Sequence, residues 1–465
     1  MSKNLGTPTE TPEKVLCFGE GNFLRAFCAV AVQRMNENAD FRGKIVLLQG
    51  LEKGLGDKIN ERGGKYTVVE RGFEGGAPVE RFVKVDCVSR CVNPYADYAE
   101  FLKIAENPEL ALVVSNTTEF GIAFDETERA GQETYRNFPA KLTDFLYHRY
   151  RFFGGSAESG LAILPCELIE HNGRKLKECV LRYAALWGLE PGFAAWLESN
   201  TFADTLVDRI VSGYPKNEAG EICARLGYDD PLLDVCEPFF LWVVEADEKK
   251  LRNIPLGQSG LDIVVTDDLQ PYRTRKVRIL NGAHTMSVLL GHLAGFTTVE
   301  EMLKDEAFRT FLERGIREEI IPSFEGEGLG AYAADVLERF LNPFLNHKLL
   351  DISLNSVSKW KTRDLCSLKD EIERTGDCPR SLCLSLAGLI AFYRAGAGDF
   401  VRDDPALVRI LSEGTLAEIL SSAALWGEDL TRLHPDLFGI VERDLERIET
   451  IGARDAVEER NRGIL

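Results

Sequence analysis

The sequence predicts an α/β N-terminal domain followed by a mainly α-helical C-terminal domain, and three observations lead to this fold class. Short β-rich runs alternate with helical patterns through the first two thirds of the chain, as a parallel sheet with crossover helices requires. Long helical patterns dominate from Asn281 onward. The length of 465 residues exceeds what one hydrophobic core usually supports, so two cores are expected.

The individual elements follow from local patterns. Candidate strands are short runs rich in apolar and β-branched residues, at 15–19, 44–50, 66–72, 81–88, 110–116 and 160–169. Candidate helices have apolar residues spaced three and four apart, at 22–36, 95–106, 138–152 and 172–186. A late strand in LDIVVTDDLQPY ends in Asp-Asp and a proline, which favour a turn. We therefore expect one domain over 1–270 and a second over 271–465.

Charge and composition exclude several classes of partner. The chain has 55 Lys and Arg against 74 Asp and Glu, a net charge of −19, which disfavours nonspecific attraction to nucleic acid or to an anionic membrane. No apolar run approaches the roughly 18 to 20 residues that would cross a bilayer, and the first residues are polar, so the expected location is cytoplasmic. The 11 cysteines are scattered without zinc-like spacing, and no metal site is predicted.

The first chemical candidate is FGEGNFLRAF, residues 18–27, which follows a strand and opens a helix. Gly19 and Gly21 stand where two glycines let the backbone turn tightly and approach a pyrophosphate at a helix N-terminus. Leu24 occupies the third glycine position of that fingerprint. The segment therefore favours a Rossmann-like dinucleotide-binding domain, with an ordinary strand-to-helix turn as the alternative.

The end of the second strand bears on the type of dinucleotide. An acidic residue there usually binds the hydroxyls of the adenosine ribose. The strand instead closes with Gln49, and Glu52 and Lys53 follow shortly after. Glu52 could reach the ribose, whereas Gln49 and Lys53 could tolerate a 2′-phosphate, so this segment leaves the choice between NAD and NADP open.

The second candidate is KVRILNGAHT, residues 276–285, which holds three polar side chains among apolar or small residues. Asn281 and His284 are three residues apart and share a helix face, while Lys276 would point elsewhere on a continuous helix and is expected to enter from a bend or a strand end. Lysine can take up a hydroxyl proton, and an asparagine amide can stabilise an alkoxide. The alternative is structural: a surface lysine, a helix cap and a satisfied polar group.

Both segments closely resemble the polyol-specific long-chain dehydrogenases, in particular their tagaturonate reductase branch. Further segments agree with that branch in the same order along the chain: VNPYADY (92–98), VVSNTTEFGI (113–122), FPAKLTDFLY (138–147), LPCELIEHNG (164–173), NTFADTLVDRIVSGYP (200–215) and LNPFLNHKLLDISLNSVSKWKTR (341–363). The resemblance extends from about residue 15 to residue 363.

The resemblance implies roles for individual residues. Lys276 matches the family's catalytic lysine, a general acid and base that works without a metal, and Asn281 and His284 match its asparagine and histidine. Asn172 matches a second oxyanion-stabilising asparagine. If the family's residue is instead the one aligned with Leu168, the enzyme would rely on Asn281 alone. Lys359 matches a substrate-binding lysine, and Asn172 and His284 are expected to contact substrate as well.

The resemblance also implies a cofactor and a reaction. The cofactor is NAD, with contacts expected from Gly19, Gly21, Asn22, Phe23, Leu24, Arg25, Asn116, Thr117, Thr118 and Glu119. The implied reaction is the reduction of tagaturonate to altronate by NADH. Fructuronate reduction and oxidation of mannitol or another hexitol are the alternatives within the family, and a catalytically silent nucleotide-binding protein is the alternative outside it. The expected partner is a small sugar acid or polyol, and residues 364–465 are expected to act as scaffold.

Overall fold

The computed structural model describes residues 11–117, 121–251, 253–345, 347–396 and 403–464. The chain divides into two compact units. The first unit extends to Arg71 and continues over Pro78–Leu269. The second consists of Gly72–Ala77 and the chain from Gln270 onward.

The strands of the described residues belong to three sheets. In chain order they are β1 (Glu13–Phe18), β2 (Lys44–Leu48), β3 (Tyr66–Glu74), β4 (Ala77–Val85), β5 (Val88–Val92), β6 (Leu112–Ser115), β7 (Ala162–Pro165), β8 (Thr201–Phe202), β9 (Asp204–Asp208), β10 (Val211–Gly213), β11 (Asp234–Cys236), β12 (Leu241–Glu245) and β13 (Ile263–Thr266). The largest sheet has the order β5-β2-β1-β6-β7-β8, and all its strands are parallel. Numbered within the sheet alone, this is the 3-2-1-4-5-6 order of the Rossmann fold. The predicted fold class of the N-terminal domain is confirmed.

Helices of the first unit connect these strands. They are α1 (Asn22–Ala26), α2 (Cys28–Asn38), α3 (Gly56–Glu61), α4 (Tyr98–Ile104), α5 (Phe138–Phe152), α6 (Asn172–Leu186), α7 (Pro191–Trp196) and α8 (Ala219–Leu226). The predicted helices over 138–152 and 172–186 are confirmed to the residue. The predicted helix over 22–36 is two helices, because the backbone leaves helical geometry at Phe27.

The parallel sheet is buried on both faces, which explains why its strands are continuous apolar runs. Alternate residues of β1 enter different clusters: Val15 and Cys17 pack on the side of α2, whereas Leu16 and Phe18 pack on the side of α5 and α6. The neighbouring strands divide in the same way. Two hydrophobic layers therefore enclose the sheet, and its carboxyl edge is left to form the site.

Two smaller sheets complete the strands, with orders β10-β11-β3-β4 and β13-β12-β9. The predicted strand over 81–88 is the end of β4 and the start of β5, separated by Asp86 and Cys87. The strands from β8 to β12 were not predicted. Several of them are only two or three residues long, and buried aspartates such as Asp204 and Asp234 interrupt their apolar pattern.

The second unit is mainly helical, as predicted. Its α-helices are α9 (Gln270–Arg275), α10 (Gly282–Leu293), α11 (Val299–Lys304), α12 (Glu306–Arg314), α13 (Leu329–Phe340), α14 (Leu349–Ile352), α15 (Ser356–Arg363), α16 (Leu365–Thr375), α17 (Arg380–Arg394), α18 (Pro405–Glu413), α19 (Leu416–Leu420), α20 (Ala423–Trp426), α21 (Leu437–Ile451) and α22 (Ala453–Asn461). Two π-helical segments, Lys276–Asn281 and Gly315–Ile320, continue α9 and α12. Across the described ranges, no helix is both long enough and apolar enough to span a membrane.

Candidate active site

The glycine turn follows β1 directly, and its first glycine is required by the backbone. Gly19 has φ +129°, a value that side-chain-bearing residues rarely adopt, and its N–H donates to the Leu48 carbonyl at 2.9 Å. A β-carbon at this position would also lie 2.9 Å from Leu24 Cδ1. Gly21 then precedes the first turn of α1. The turn thus links the carboxyl ends of β1 and β2.

The side chains of Phe23, Leu24 and Arg25, which follow the turn, pack into the core. Leu24 is buried, and Phe23 stacks on Phe27 at 4.7 Å between ring centroids. Arg25 is 1% exposed; its guanidinium donates to the Leu232 carbonyl at 2.6 Å and lies 3.3 Å from Asp234.

Four of the predicted cofactor contacts, Asn22, Phe23, Leu24 and Arg25, lie in α1. The side chains of Phe23, Leu24 and Arg25 stabilise the fold and do not line the cavity beside the turn. Asn22 is exposed, and its side-chain oxygen accepts from Arg25 at 2.7 Å. A buried and paired guanidinium cannot turn outward to neutralise a pyrophosphate without leaving Asp234 uncompensated.

A cavity of about 500 Å³ opens at the carboxyl ends of β1, β2 and β6. It is lined by Phe18, Gly19, Glu20, Gly21, Leu48, Gln49, Gly50, Leu51, Asn116, Thr117, Gly121, Arg136, Asn137, Phe138 and Lys141. β1 and β6 are adjacent in the sheet, and the strand order reverses between them. Open α/β sheets bind ligands at this switch point, so the cavity fits a dinucleotide with its pyrophosphate at the glycine turn.

Asn116 and Thr117, both predicted to contact the cofactor, line this cavity. The Asn116 amide donates to the Cys166 carbonyl at 2.8 Å, and the hydroxyl and N–H of Thr117 both donate to Glu167 at 3.0 Å. Burial raises the pKa of the Glu167 carboxyl. The loop after β6 is therefore anchored to the loop after β7. Thr118 and Glu119, also predicted as contacts, lie outside the described residues.

The start of α5 contributes lining residues that the sequence analysis missed. Lys141 is 4% exposed, and its ammonium donates to the Tyr95 hydroxyl at 2.7 Å and lies 4.2 Å from the centre of that ring. Burial lowers the pKa of Lys141 to about 8. A signal was present: Lys141 follows Phe138 by three residues and precedes Phe145 by four, which places it on the apolar face of the predicted helix.

The end of β2 differs from the sequence-based alternatives. The Gln49 amide donates to the carbonyls of Leu51 and Glu52 at 2.8 and 3.0 Å, and its oxygen accepts from the Gly56 N–H at 3.1 Å. Gln49 is thus committed to shaping its own loop and is not available to a 2′-phosphate. The side chains of Glu52 and Lys53 are exposed and do not line the cavity.

In the second unit, Lys276 and Asn281 are the first and last residues of a π-helical turn. The Gly282 N–H donates to the Val277 carbonyl five residues back, which is the π-helical spacing. The expectation that Lys276 enters from a bend or strand end is wrong, because the chain is helical from Gln270 to Leu293. In i→i+5 geometry, residues five apart lie about one turn apart, so the π turn brings Lys276 and Asn281 to the same side of the helix.

His284 lies three residues beyond Asn281 and is 7% exposed. Its ring stacks on Phe340 at 4.0 Å between centroids and meets the edge of His347 at 5.2 Å. Its Nε2 has no hydrogen-bond partner among the described residues. Burial lowers the pKa of His284 well below its usual range, and the nearby charges of Arg363, Arg339 and Lys359 lower it further. The imidazole is therefore neutral at physiological pH.

The cations around His284 come from α13 and α15. The Arg363 guanidinium donates to the Thr285 hydroxyl at 3.2 Å, and the Lys359 ammonium donates to the Ile352 carbonyl at 2.7 Å. Burial lowers the pKa of Arg363, as expected for a cation held partly out of water. We call Arg339, Lys359 and Arg363 the cationic group. Arg278, another cation of this region, is paired with Asp370 at 2.6 Å.

Asn172, which is predicted to stabilise the oxyanion, is enclosed by hydrogen bonds at the start of α6. Its side chain is 0% exposed, and its amide donates to the carbonyls of Pro165, Glu167 and Thr205 at 2.9 to 3.2 Å. Its oxygen accepts from the N–H groups of Thr205 and Gly173. The polar atoms of the side chain are thus engaged within the first unit, and the substrate contact and oxyanion role of Asn172 stay predictions. Leu168, at the alternative position, is 70% exposed.

Asp364 is a second buried polar residue that the sequence did not reveal. It is 0% exposed, neither carboxyl oxygen has a hydrogen-bond partner among the described residues, and burial raises its pKa well above the usual range. Oδ1 lies 2.9 Å from where a β-carbon at Gly282 would stand, so Gly282 is what admits the carboxyl beside the π turn.

A pH-dependent stability effect is expected from Asp364. The native state holds the proton more tightly than the unfolded chain, so stability is lost as pH rises from about 4, the unfolded pKa, through the raised native pKa. Asp364→Asn removes this dependence, and the variant should be about 1 to 3 kcal/mol more stable than wild type at pH 8. The difference should shrink toward zero below about pH 4. Denaturant unfolding at both pH values measures it, with the exposed Asp377→Asn as control; equal stability at pH 8 would contradict the expectation.

Comparison with known proteins places this geometry in a family. The mannitol dehydrogenase Rossmann domain matches residues 13–257, and the mannitol dehydrogenase C-terminal domain matches residues 268–449. The chain is 40% identical to altronate oxidoreductase of Bacillus subtilis (strain 168), over 97% of this chain and 96% of that one. It is 39% identical to altronate oxidoreductase of Phocaeicola vulgatus, over 98% and 99%.

Two solved structures share the fold. A D-sorbitol dehydrogenase in substrate-free form superimposes with a TM-score of 0.81 and 22% identity, covering 96% of this chain and 95% of that one. Mannitol 2-dehydrogenase of Pseudomonas fluorescens, solved as a ternary complex with NAD and D-mannitol, superimposes with a TM-score of 0.70 and 19% identity, covering 97% and 94%. Since both family domains match in order and the relatives match nearly the whole length, the chain is an oxidoreductase that belongs to the mannitol dehydrogenase family.

Proposed function

We propose that the chain catalyses the reversible, NADH-dependent reduction of tagaturonate to altronate, a hydride transfer between a keto-uronate and a sugar acid. The relatives that match almost its whole length are named altronate oxidoreductase. The structural observation that carries the proposal is the π turn, which brings Lys276 and Asn281 to one side of the helix that continues to His284.

The residues of the second unit have defined tasks in this proposal. In the reducing direction, the Lys276 ammonium donates its proton to the ketone oxygen, and in oxidation the neutral amine takes the hydroxyl proton. The Asn281 amide donates a hydrogen bond to the same oxygen as negative charge develops on it. Neutral His284 binds a neighbouring hydroxyl through Nε2, the ring atom that lacks a partner. With Asn172 committed elsewhere, Asn281 is the asparagine that serves the oxyanion.

The cationic group supports an anionic substrate. A carboxylate brought near His284 meets the charges of Arg339, Lys359 and Arg363 in a partly buried setting, where charge-assisted hydrogen bonds are strong. A hexitol has no carboxylate to match them. This feature favours a keto-uronate over mannitol within the family.

In the first unit, the cavity would hold the dinucleotide through the Gly19–Gly21 turn, Asn116 and Thr117. A bound nicotinamide dinucleotide supplies the hydride in reduction and accepts it in oxidation. NAD is the proposed cofactor, supported by the NAD complex of the mannitol 2-dehydrogenase that shares the fold. We also propose a cytoplasmic location, which rests on cysteines that are all free thiols.

Steady-state oxidation of NADH, followed by absorbance, tests the function. We expect the highest kcat/KM with tagaturonate, a lower value with fructuronate, and the lowest with fructose. A higher value with fructose than with either uronate would contradict the proposed substrate class. Binding of NADH without turnover of any keto sugar would instead favour a silent nucleotide-binding protein.

Lys359→Met tests the recognition of the carboxylate. We expect kcat/KM for tagaturonate to fall about 10- to 100-fold, mainly through KM, because one charged hydrogen bond to the substrate is lost. Lys361→Met is the matched control, since Lys361 is an exposed lysine two residues further along the same helix. Equal losses in both variants would show that charge at long range, rather than a contact by Lys359, governs binding.

A further inference from the structure

The carboxylate of Glu20 is held at the end of β2, although the residue belongs to the glycine turn. Glu20 is 9% exposed, and its Oε2 accepts a hydrogen bond from the Gly50 N–H at 2.9 Å. A β-carbon at Gly54 would overlap Oε1, so the absence of a side chain there leaves room for the carboxylate. The side chain thus extends from the first strand–helix turn to the loop that follows the second strand.

This is the place where Rossmann folds usually present an acid to the adenosine ribose, normally from the end of the second strand itself. In this chain, the residues at the end of the second strand cannot bind the ribose. The Gln49 amide is consumed by its own loop, and the Glu52 side chain is exposed away from the cavity. Among the described residues that line the cavity, Glu20 carries the one carboxylate.

The carbonyl of Gly50 is also fixed. The Tyr95 hydroxyl donates to the Gly50 carbonyl at 2.9 Å and accepts from the Lys141 ammonium at 2.7 Å. Gly50 is therefore held by Glu20 through its N–H and by Tyr95 through its carbonyl. A carboxylate and a buried ammonium are fixed on either side of one loop, and Arg136 lines the cavity as well.

We propose that Glu20 selects NADH over NADPH, by accepting hydrogen bonds from the adenosine ribose hydroxyls and repelling a 2′-phosphate. The inference depends on the proposed function only in that the chain binds a nicotinamide dinucleotide. The two cations, Lys141 and Arg136, would attract a 2′-phosphate if no carboxylate opposed them. The balance between Glu20 and these cations therefore sets the preference, and removing the one negative charge reverses it.

Glu20→Gln is the sharpest variant, because the glutamine oxygen still accepts from the Gly50 N–H while the charge is lost. Dissociation constants for NADH and NADPH are measured by fluorescence titration without any sugar acid. We expect the NADH constant to rise about tenfold and the NADPH constant to fall about tenfold, as the loss of a charged hydrogen bond and of a like-charge repulsion implies. Glu52→Gln removes the same charge from the exposed neighbour and should change neither constant.

An analogue lacking the ribose 2′-hydroxyl gives a second readout. Wild type should bind 2′-deoxy-NADH about tenfold more weakly than NADH, and Glu20→Gln should bind the two with nearly equal affinity. Glu20→Asp, which keeps the charge on a shorter side chain, serves if Glu20→Gln does not fold, and should keep NADPH excluded while weakening NADH.

Several outcomes would overturn the inference. An unchanged ratio of NADH to NADPH affinity in Glu20→Gln, or a shift in Glu52→Gln instead, would assign selection to another residue. A wild type that prefers NADPH would contradict the proposed selection of NADH itself. Tight binding of NADH without turnover of tagaturonate would contradict the proposed substrate and leave the role of Glu20 standing.

Discussion

Lys276→Ala should abolish most turnover, with kcat for tagaturonate reduction falling about 10²- to 10⁴-fold. The methyl side chain can neither donate the proton that the ketone oxygen needs nor accept it in the reverse reaction. The affinity for NADH should be unchanged, since the cavity with the glycine turn belongs to the first unit. Stopped-flow or steady-state absorbance gives kcat, and fluorescence titration of NADH provides the control for intact folding.

Chemical rescue separates proton transfer from a structural role of Lys276. Small primary amines added to Lys276→Ala should restore part of the activity, with a rate that follows the pKa of the amine. Lys276→Arg should stay inactive, because a guanidinium keeps its proton throughout the accessible pH range. A variant that keeps more than about a tenth of wild-type kcat would place the general acid elsewhere.

Asn172→Ala should mainly lower the stability of the fold, whereas Asn281→Ala should mainly lower kcat. Asn172→Ala removes a fully buried side chain that donates to the carbonyls of Pro165, Glu167 and Thr205 and accepts from the Thr205 N–H. We expect a loss of about 3 to 5 kcal/mol in the free energy of unfolding. The kcat of the molecules that remain folded should change little, because the side chain has no polar atom left for the substrate.

Asn281→Ala should instead lower kcat about 10²- to 10³-fold, the usual cost of losing one donor to an oxyanion, with little change in stability. The two measurements, denaturant unfolding and kcat per folded molecule, are made on both variants. A large catalytic loss in Asn172→Ala at unchanged stability would restore the oxyanion role predicted from the sequence and contradict the hydrogen bonds that the structure assigns to it.

The parts of the fold that could be predicted were those governed by local pattern. The strands of the parallel sheet are buried on both faces, so their sequences are continuous apolar runs that stand out from the rest of the chain. The bounds of α5 and α6 followed from residues spaced three and four apart. β9 and β11 escaped prediction because their buried aspartates are stabilised by distant partners, as Asp234 is by Arg25, and no local pattern reports such a partner.

In the candidate site, too, local pattern predicted some features and contacts distant in sequence decided others. The spacing of Lys276, Asn281 and His284 identified the chemistry, but a regular α-helix would have separated Lys276 from Asn281. The π turn that unites them does not follow from residue types. At this turn, the close approach of the Asp364 carboxyl to Gly282 comes from a segment more than 80 residues further along the chain.

The sequence by itself determined the class of each unit, the glycine turn and the residue types of the chemistry, because apolar periodicity and short-range backbone requirements are local properties. Only the tertiary structure decided which of the polar residues are available to a ligand. It committed Arg25, Gln49 and Asn172 to buried hydrogen bonds, and it brought Glu20 and Lys141 from separate segments to one loop. The physical reason is that a buried polar group must find partners wherever the fold provides them, and those partners are distant in sequence.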